Sequence, residues 1–243
     1  MYSTSKTEKL RKTKLKSRVS SIKQKLERHF TIKGVEVIVK DPLPKNIDPR
    51  ETIAKSLSMV PEFLLRNLDV IYIGRFKDLE DRNLQAMYQN SSVFLTNKHV
   101  TPEGMIDDLI HEIAHSVEET YKSFIYSDLK IENEFLQKRK SLWSILKSEG
   151  FTMELSSYLN VDYEENFDQF LYSEVGYPML SIFSANLFYS PYAATSIREY
   201  FANGFEAFFM REDLPRLKRN SPVLFKKIVS LMNLEKEEKS NDF

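Results

Sequence analysis

The chain has 243 residues and no cysteine, which excludes disulfides, thiolate metal sites and a cysteine nucleophile. Its 35 Lys/Arg balance 35 Asp/Glu, so no net field draws it to nucleic acid or to a membrane surface. A hydrophobic content of 42% with 12% aromatics is enough for a sizeable core and excludes a disordered chain.

The charge is uneven. Residues 1–28 hold ten Lys/Arg against Glu8 and Glu27. Within them, Leu15, Val19, Ile22, Leu26 and Phe30 recur at spacings of four and three, which predicts a basic amphipathic N-terminal helix over 6–29. No apolar run follows the basic start, so no secretory signal peptide is expected. Nothing approaches the roughly 18 apolar residues of a membrane span. The expected setting is the cytoplasm or delivery by a non-classical route, virion association included.

"VEVIVK" (35–40) alternates and is β-branched, which predicts a strand. "DPLPKNIDP" is a turn-rich connector. It leads to a helix over 49–58, with Asp48 as cap and Pro49 in the first turn. "LDVIYIGRF" (68–76) and "SSVFLTN" (91–97) are the second and third strands. Helices are then expected at 102–122, 129–148, 163–175, 178–187, 195–211 and 221–233, with a disordered tail over 235–243. Strands early and helices late indicate an α+β fold, with the main domain over 31–234.

Thr101 followed by Pro102 is a capping hydroxyl with proline in the first turn. Ile106, Leu109, Ile110, Ile113, Ala114 and Val117 then repeat at helical spacing, so this helix is largely buried. It carries "DDLIHEIAHSVEE". His111 and His115 lie one turn apart, about 6 Å along the axis, and can point at one metal ion. Glu112, beside the first histidine, is placed to take a proton from a metal-activated water. That is the mechanical basis of the HExxH spacing in zinc hydrolases. The plainer reading is a pair of polar histidines at the edge of a core helix.

A third ligand decides between the two. "YSPYAATSIREYFANGFEAFFM" (189–210) makes a second buried helix bearing Glu199 and Glu206. A carboxylate facing a core needs a partner, and a metal ion held by two histidines would be one. Glu199 is the first choice and Glu206 the reserve; Glu206 is otherwise read as a carboxylate supporting a ligand or as a salt-bridge partner, the latter preferred. Asn203, one turn after Glu199, is expected to accept a hydrogen bond from a ligand histidine. Asp108 and Glu119 are weaker candidates for the same supporting task. His29 and His99 have no partner spacing.

The set HEIAH (111–115), Tyr192 and Glu199 in "EYFANGF" resembles the catalytic domain of the anthrax lethal factor family and of the related Pro-Pro endopeptidases. The likeness extends upstream through "AMYQN", read as a short connector, to the strand "SVFLT" before the zinc helix. It covers roughly 33–125 and 185–212; the segment between is longer than the family pattern and its helices are unexplained by it. The resemblance implies a zincin-like metallopeptidase domain with one Zn2+ on His111, His115 and Glu199, and Glu112 as general base. Tyr192, seven residues before Glu199, would donate to the oxyanion. The expected partner is a protein or peptide substrate, which could add as a strand along "SVFLT"; no nucleic acid or membrane partner is expected. The alternative is a zincin-fold structural or virion-associated protein with a zinc site and little turnover.

Overall fold

The computed structural model describes residues 28–211 and 213–241, without the side chains of 235–241. The helix expected at 6–29 therefore lies outside the described residues, except at its end, where it is corrected. His29 opens a strand, β1 (His29–Ile32), and Phe30 belongs to the sheet core and not to a helical stripe. A two-residue turn through Lys33 and Gly34, both at positive φ (50° and 84°), returns the chain antiparallel into β2 (Val35–Val39). Positive φ at both central residues is the hairpin turn that matches strand twist.

α1 (Pro49–Met59) crosses over to β3 (Val70–Gly74), parallel to β2. Asp48 caps it, accepting from Glu51 N at 3.0 Å. After the short α2 (Lys77–Asp81) comes β4 (Ala86–Gln89), then a tight turn at Asn90 and Ser91, again both at positive φ, and β5 (Ser92–Thr96). The sheet order is β1-β2-β3-β5-β4. This corrects two expectations. "AMYQ" is a strand and not a connector. "SVFLT" is flanked by β3 and β4, so the strand left at the sheet edge is β4.

β5 leads through a short loop into α3 (Pro102–Tyr126), whose start is as expected: Thr101 Oγ1 accepts from Gly104 N at 3.1 Å. The helix buries its apolar stripe from Met105 to Val117 and breaks pitch at Tyr121, so it continues past the expected 122. The rest is helical: α4 (Lys130–Ser148), α5 (Leu155–Leu159), α6 (Glu165–Gln169) running into a π-helical turn (Phe170–Val175), α7 (Tyr177–Ser184), α8 (Ile197–Met210), α9 (Leu214–Asn220) and α10 (Pro222–Asn241). The last of these runs on past the expected 233. The architecture is α+β, a five-stranded mixed sheet followed by a mostly helical half. No helix among the described residues is long and apolar enough to cross a membrane.

α3 and α8 pack along each other at the centre. The segment between them buttresses that pair. Buried Arg139 on α4 donates to Ser157 O at 2.5 Å and to Thr195 O at 3.3 Å, just before α8. Val161 O accepts from Ile197 N at 2.8 Å. Glu134, also on α4, accepts from Tyr200 OH at 2.8 Å and from Val223 N and Leu224 N at 2.9 and 3.1 Å, so it both anchors α8 and caps α10.

Gly204 lets α10 approach α8. A Cβ there would lie 2.3 Å from Leu224 Cδ2 and 2.9 Å from its Cγ. Gly204→Ala gains helix propensity of about 1 kcal/mol but overpacks a buried contact, which typically costs about 1–3 kcal/mol. Denaturant unfolding should show net destabilisation, partly relieved when Leu224 is also cut to Ala.

Candidate metal centre

The buried stripe of α3 sets which of its faces meets α8, and His111 and His115 sit on that face. On α8, Ser196 caps the first turn by accepting from Glu199 N at 3.2 Å. Glu199 occupies the position from which a capping box would reach back to the cap. Its carboxylate turns instead to the histidines. Oε2 lies 3.0 Å from His111 Nε2 and Oε1 lies 3.5 Å from His115 Nε2. The two imidazole rings are 5.1 Å apart at 79°. Ligand atoms of His111, His115 and Glu199 all fall within 4.8 Å of one another, a group that could hold a metal ion.

The outward nitrogens support this reading. His111 Nδ1 meets Glu206 Oε2 at 2.9 Å. His115 Nδ1 lies 3.6 Å from Glu118 Oε2, close enough to pair but without a hydrogen bond. Glu118 is itself fixed by Arg198 Nε and Tyr126 OH, each at 2.8 Å. Both histidines thus turn Nε2 inward and back Nδ1 with a carboxylate, the usual support for a metal-ligating imidazole. The donor set, two imidazole nitrogens and a carboxylate oxygen, suits zinc and neighbouring divalent ions.

The electrostatics fit the same group. Burial alone would lower the pKa of His111, but the hydrogen bonds it donates to Glu199 and Glu206 outweigh it and hold it well above its ordinary value. His115, under the same opposition of burial by Glu118 and Glu199, is pushed up to about 9. Burial raises Glu199, yet its two histidine partners pull it far below the carboxylate range. Protonated, the two imidazoles would balance these carboxylates; a divalent cation would replace their protons.

Glu112 is buried, and burial raises its pKa; Oε2 accepts from the backbone N–H of Tyr88 on β4 at 2.6 Å. The Tyr192 ring centroid is 6.5 Å from that of His111. Burial, then the charge of Glu199, drives its phenol pKa up, so the hydroxyl keeps its proton. All five residues line one cleft of about 660 Å³, with β4 forming a wall.

Several supporting assignments change. Asn203 does not meet a histidine. Its Nδ2 donates to Glu199 O at 2.9 Å and its Oδ1 accepts from Ser190 Oγ, because Glu206 and Glu118 already back the imidazoles. Glu206 is the ion-pair partner expected, and its partner is His111 Nδ1, so it also supports a candidate ligand. Asp108 is occupied by His99 Nε2 at 2.8 Å, and Glu119 by Tyr88 OH at 2.7 Å. His29 is exposed beside Glu36. Sequence reading missed Glu118, although a carboxylate one turn after His115 is a usable signal. It also missed Tyr88, whose backbone N–H leaves no trace in a sequence.

Comparison with models of known protein families, with curated proteins and with solved structures found no match to the chain. The geometry is that of an HExxH-type site in which His111, His115 and Glu199 could hold a metal ion.

Two outcomes are expected. Glu206→Gln and Glu118→Gln should each weaken metal affinity by roughly 10–100-fold, the scale for losing the partner of a ligand histidine; Glu199→Ala, which removes a ligand, should weaken it more. Titration against a chromophoric chelator reads all three. Secondly, His115 has a raised folded-state pKa, so its contribution to stability is complete below its ordinary 6.5 and is lost as pH rises through about 9. Melting temperatures of the chelator-treated protein should fall across that window; a flat profile would contradict the carboxylate cage.

Proposed function

We propose that the chain is a zinc-dependent endopeptidase, similar in its site to the anthrax lethal factor and Pro-Pro endopeptidase families. The observation that carries the reading is the convergence of five side chains from α3, α8 and the turn before α8 on one cleft beside β4, an edge strand among the described residues. His111, His115 and Glu199 would hold the ion. Bound there, zinc would act as a Lewis acid and lower the pKa of a water in the cleft.

The chain's own residues do the rest. Glu112, poised beside the two histidines, takes a proton from the attacking water and returns it to the leaving amine. Its burial suits that task, since a carboxylate with a raised pKa is the stronger base and takes a proton from water more readily. The Tyr192 hydroxyl, kept protonated by burial and then by the charge of Glu199, donates to the oxygen that gains negative charge as the peptide carbonyl is attacked. β4 offers unpaired backbone groups to an extended peptide, the strand-addition mode of recognition. On this reading substrate would lie along "AMYQ" and not along "SVFLT".

Two variants divide the roles. Glu112→Gln keeps shape and should keep the metal, while cleavage of a peptide library falls by about 10²–10⁴-fold, the range of general-base catalysis. Tyr192→Phe should lower turnover by about 10²-fold with unchanged metal content. Wild-type protein that holds zinc firmly and cleaves nothing would leave a zinc-bearing structural protein, and the peptidase reading would be abandoned.

A further inference from the structure

β4 does more than border the cleft. Gln85 O accepts from Thr96 N at 2.9 Å, and Met87 pairs opposite Phe94 and Gln89 opposite Ser92. Antiparallel ladders alternate, so Gln85, Met87 and Gln89 turn their backbone groups toward β5. Ala86 and Tyr88 turn theirs outward. The outward N–H of Tyr88 is already engaged: it donates to Glu112 Oε2 at 2.6 Å, a short bond of the charge-assisted kind. The side chain of Tyr88 grips the same helix again. Its hydroxyl donates to Glu119 Oε2 at 2.7 Å and accepts from Asn67 Nδ2 at 3.0 Å. Glu119 lies two turns beyond Glu112, on the same face of α3. One residue of the edge strand is therefore held to the helix at two points, one of them the proposed base.

We infer that Tyr88 is a positioning residue for Glu112, its backbone N–H holding Oε2 so that Oε1 is the oxygen that takes and returns the proton. The inference rests on the peptidase reading. Oε1 makes no hydrogen bond among the described residues, whereas Oε2 is committed to the strand. A carboxylate free to rotate would present either oxygen and would spend time turned from the cleft; one fixed oxygen leaves the other in a single orientation, which is what proton transfer at hydrogen-bond distance demands. The arrangement also ties the base to the strand that would carry the substrate. Ala86 N and O and Tyr88 O remain for a peptide, while the Tyr88 N–H does not.

The test replaces Tyr88 in the full chain, zinc-loaded, by its α-hydroxy acid, so that an ester stands where the N–H was. Side chain and backbone shape are kept, and the lost N–H is not one of the sheet's bonds. If wild type cleaves no peptide, the peptidase reading fails and this inference with it. If wild type cleaves, kcat of the ester protein should fall by about 10-fold or more, the scale of one hydrogen bond to a charged group. KM and zinc content should be unchanged, and the ester should have no further effect in the Glu112→Gln background. Unchanged kcat, a change confined to KM, or fully additive effects with Glu112→Gln would overturn the inference. A second measurement does not depend on the ester protein folding. The Tyr88 amide proton should resonate far downfield in the wild type and move upfield in Glu112→Gln; a Tyr88 resonance indifferent to that substitution would also overturn it.

Discussion

Four carboxylates, from Glu112, Glu118, Glu199 and Glu206, come together around two imidazoles at the junction of α3 and α8. Uncompensated, such a junction could not form, since an unpaired charge in a buried setting is among the most costly defects a fold can carry. The apolar stripes of the two helices favour close packing; the carboxylates dictate that packing occurs only in a register that puts cations between them. His111 and His115 supply those cations when protonated, and Arg198 supplies another at Glu118. The same charge pattern that constrains the fold makes the pocket receptive to a divalent ion. Fold and site are two consequences of one electrostatic requirement.

That requirement explains the long stretch between the histidines and Glu199, which the family resemblance leaves without a role. A carboxylate can satisfy two imidazoles only if its helix is held against translation, and α8 begins after a buried turn, Tyr192–Ala194. The intervening segment provides the anchors. Arg139 holds the carbonyl of Thr195, Val161 holds the N–H of Ile197, and Glu134 ties Tyr200 to the start of α10. The aromatic rings of Phe135, Phe188 and Tyr200 fill the space behind them. The segment is part of the site's framework, not an appendage to it.

What could be read in the sequence was whatever is encoded over a short window. Asp48 and Thr101 announce their helices because a cap and a first-turn proline act within four residues. The HExxH spacing is legible for the same reason: one turn of helix converts a gap of four into a shared face. The α+β order follows from the change in period near residue 100. The losses are equally physical. β1 and β4 are four residues each, too short for alternation to stand out, and β1 continued an apparent helical stripe into Phe30. Their true signals were the turns, Lys33-Gly34 and Asn90-Ser91, where positive φ is accommodated. Asn203 was misassigned because spacing along one helix cannot say which carboxylates the other helix has already brought to the histidines. Glu206 was undervalued for the mirror reason.

The position of β4 is the last piece, and it follows from connection lengths. Asn90 and Ser91 allow only a hairpin, so β4 must lie beside β5. β3 already occupies the other flank of β5, so β4 has only the edge. β5 then passes through a loop of a few residues into α3, which keeps the first turns of the helix near the end of the strand it left. The histidine-bearing turn, a few turns further in, is thereby carried back across the sheet toward β4. The edge strand β4 and the helix face of the candidate metal site are brought within one hydrogen bond of each other, Tyr88 N to Glu112 Oε2, by two short connections and the sheet order. No residue in those connections is a candidate site residue; His99 and Thr101 only brace the start of α3. Lengthening either one would loosen the link between the surface on which a peptide could lie and the groups that could act on it, without touching a single candidate site residue.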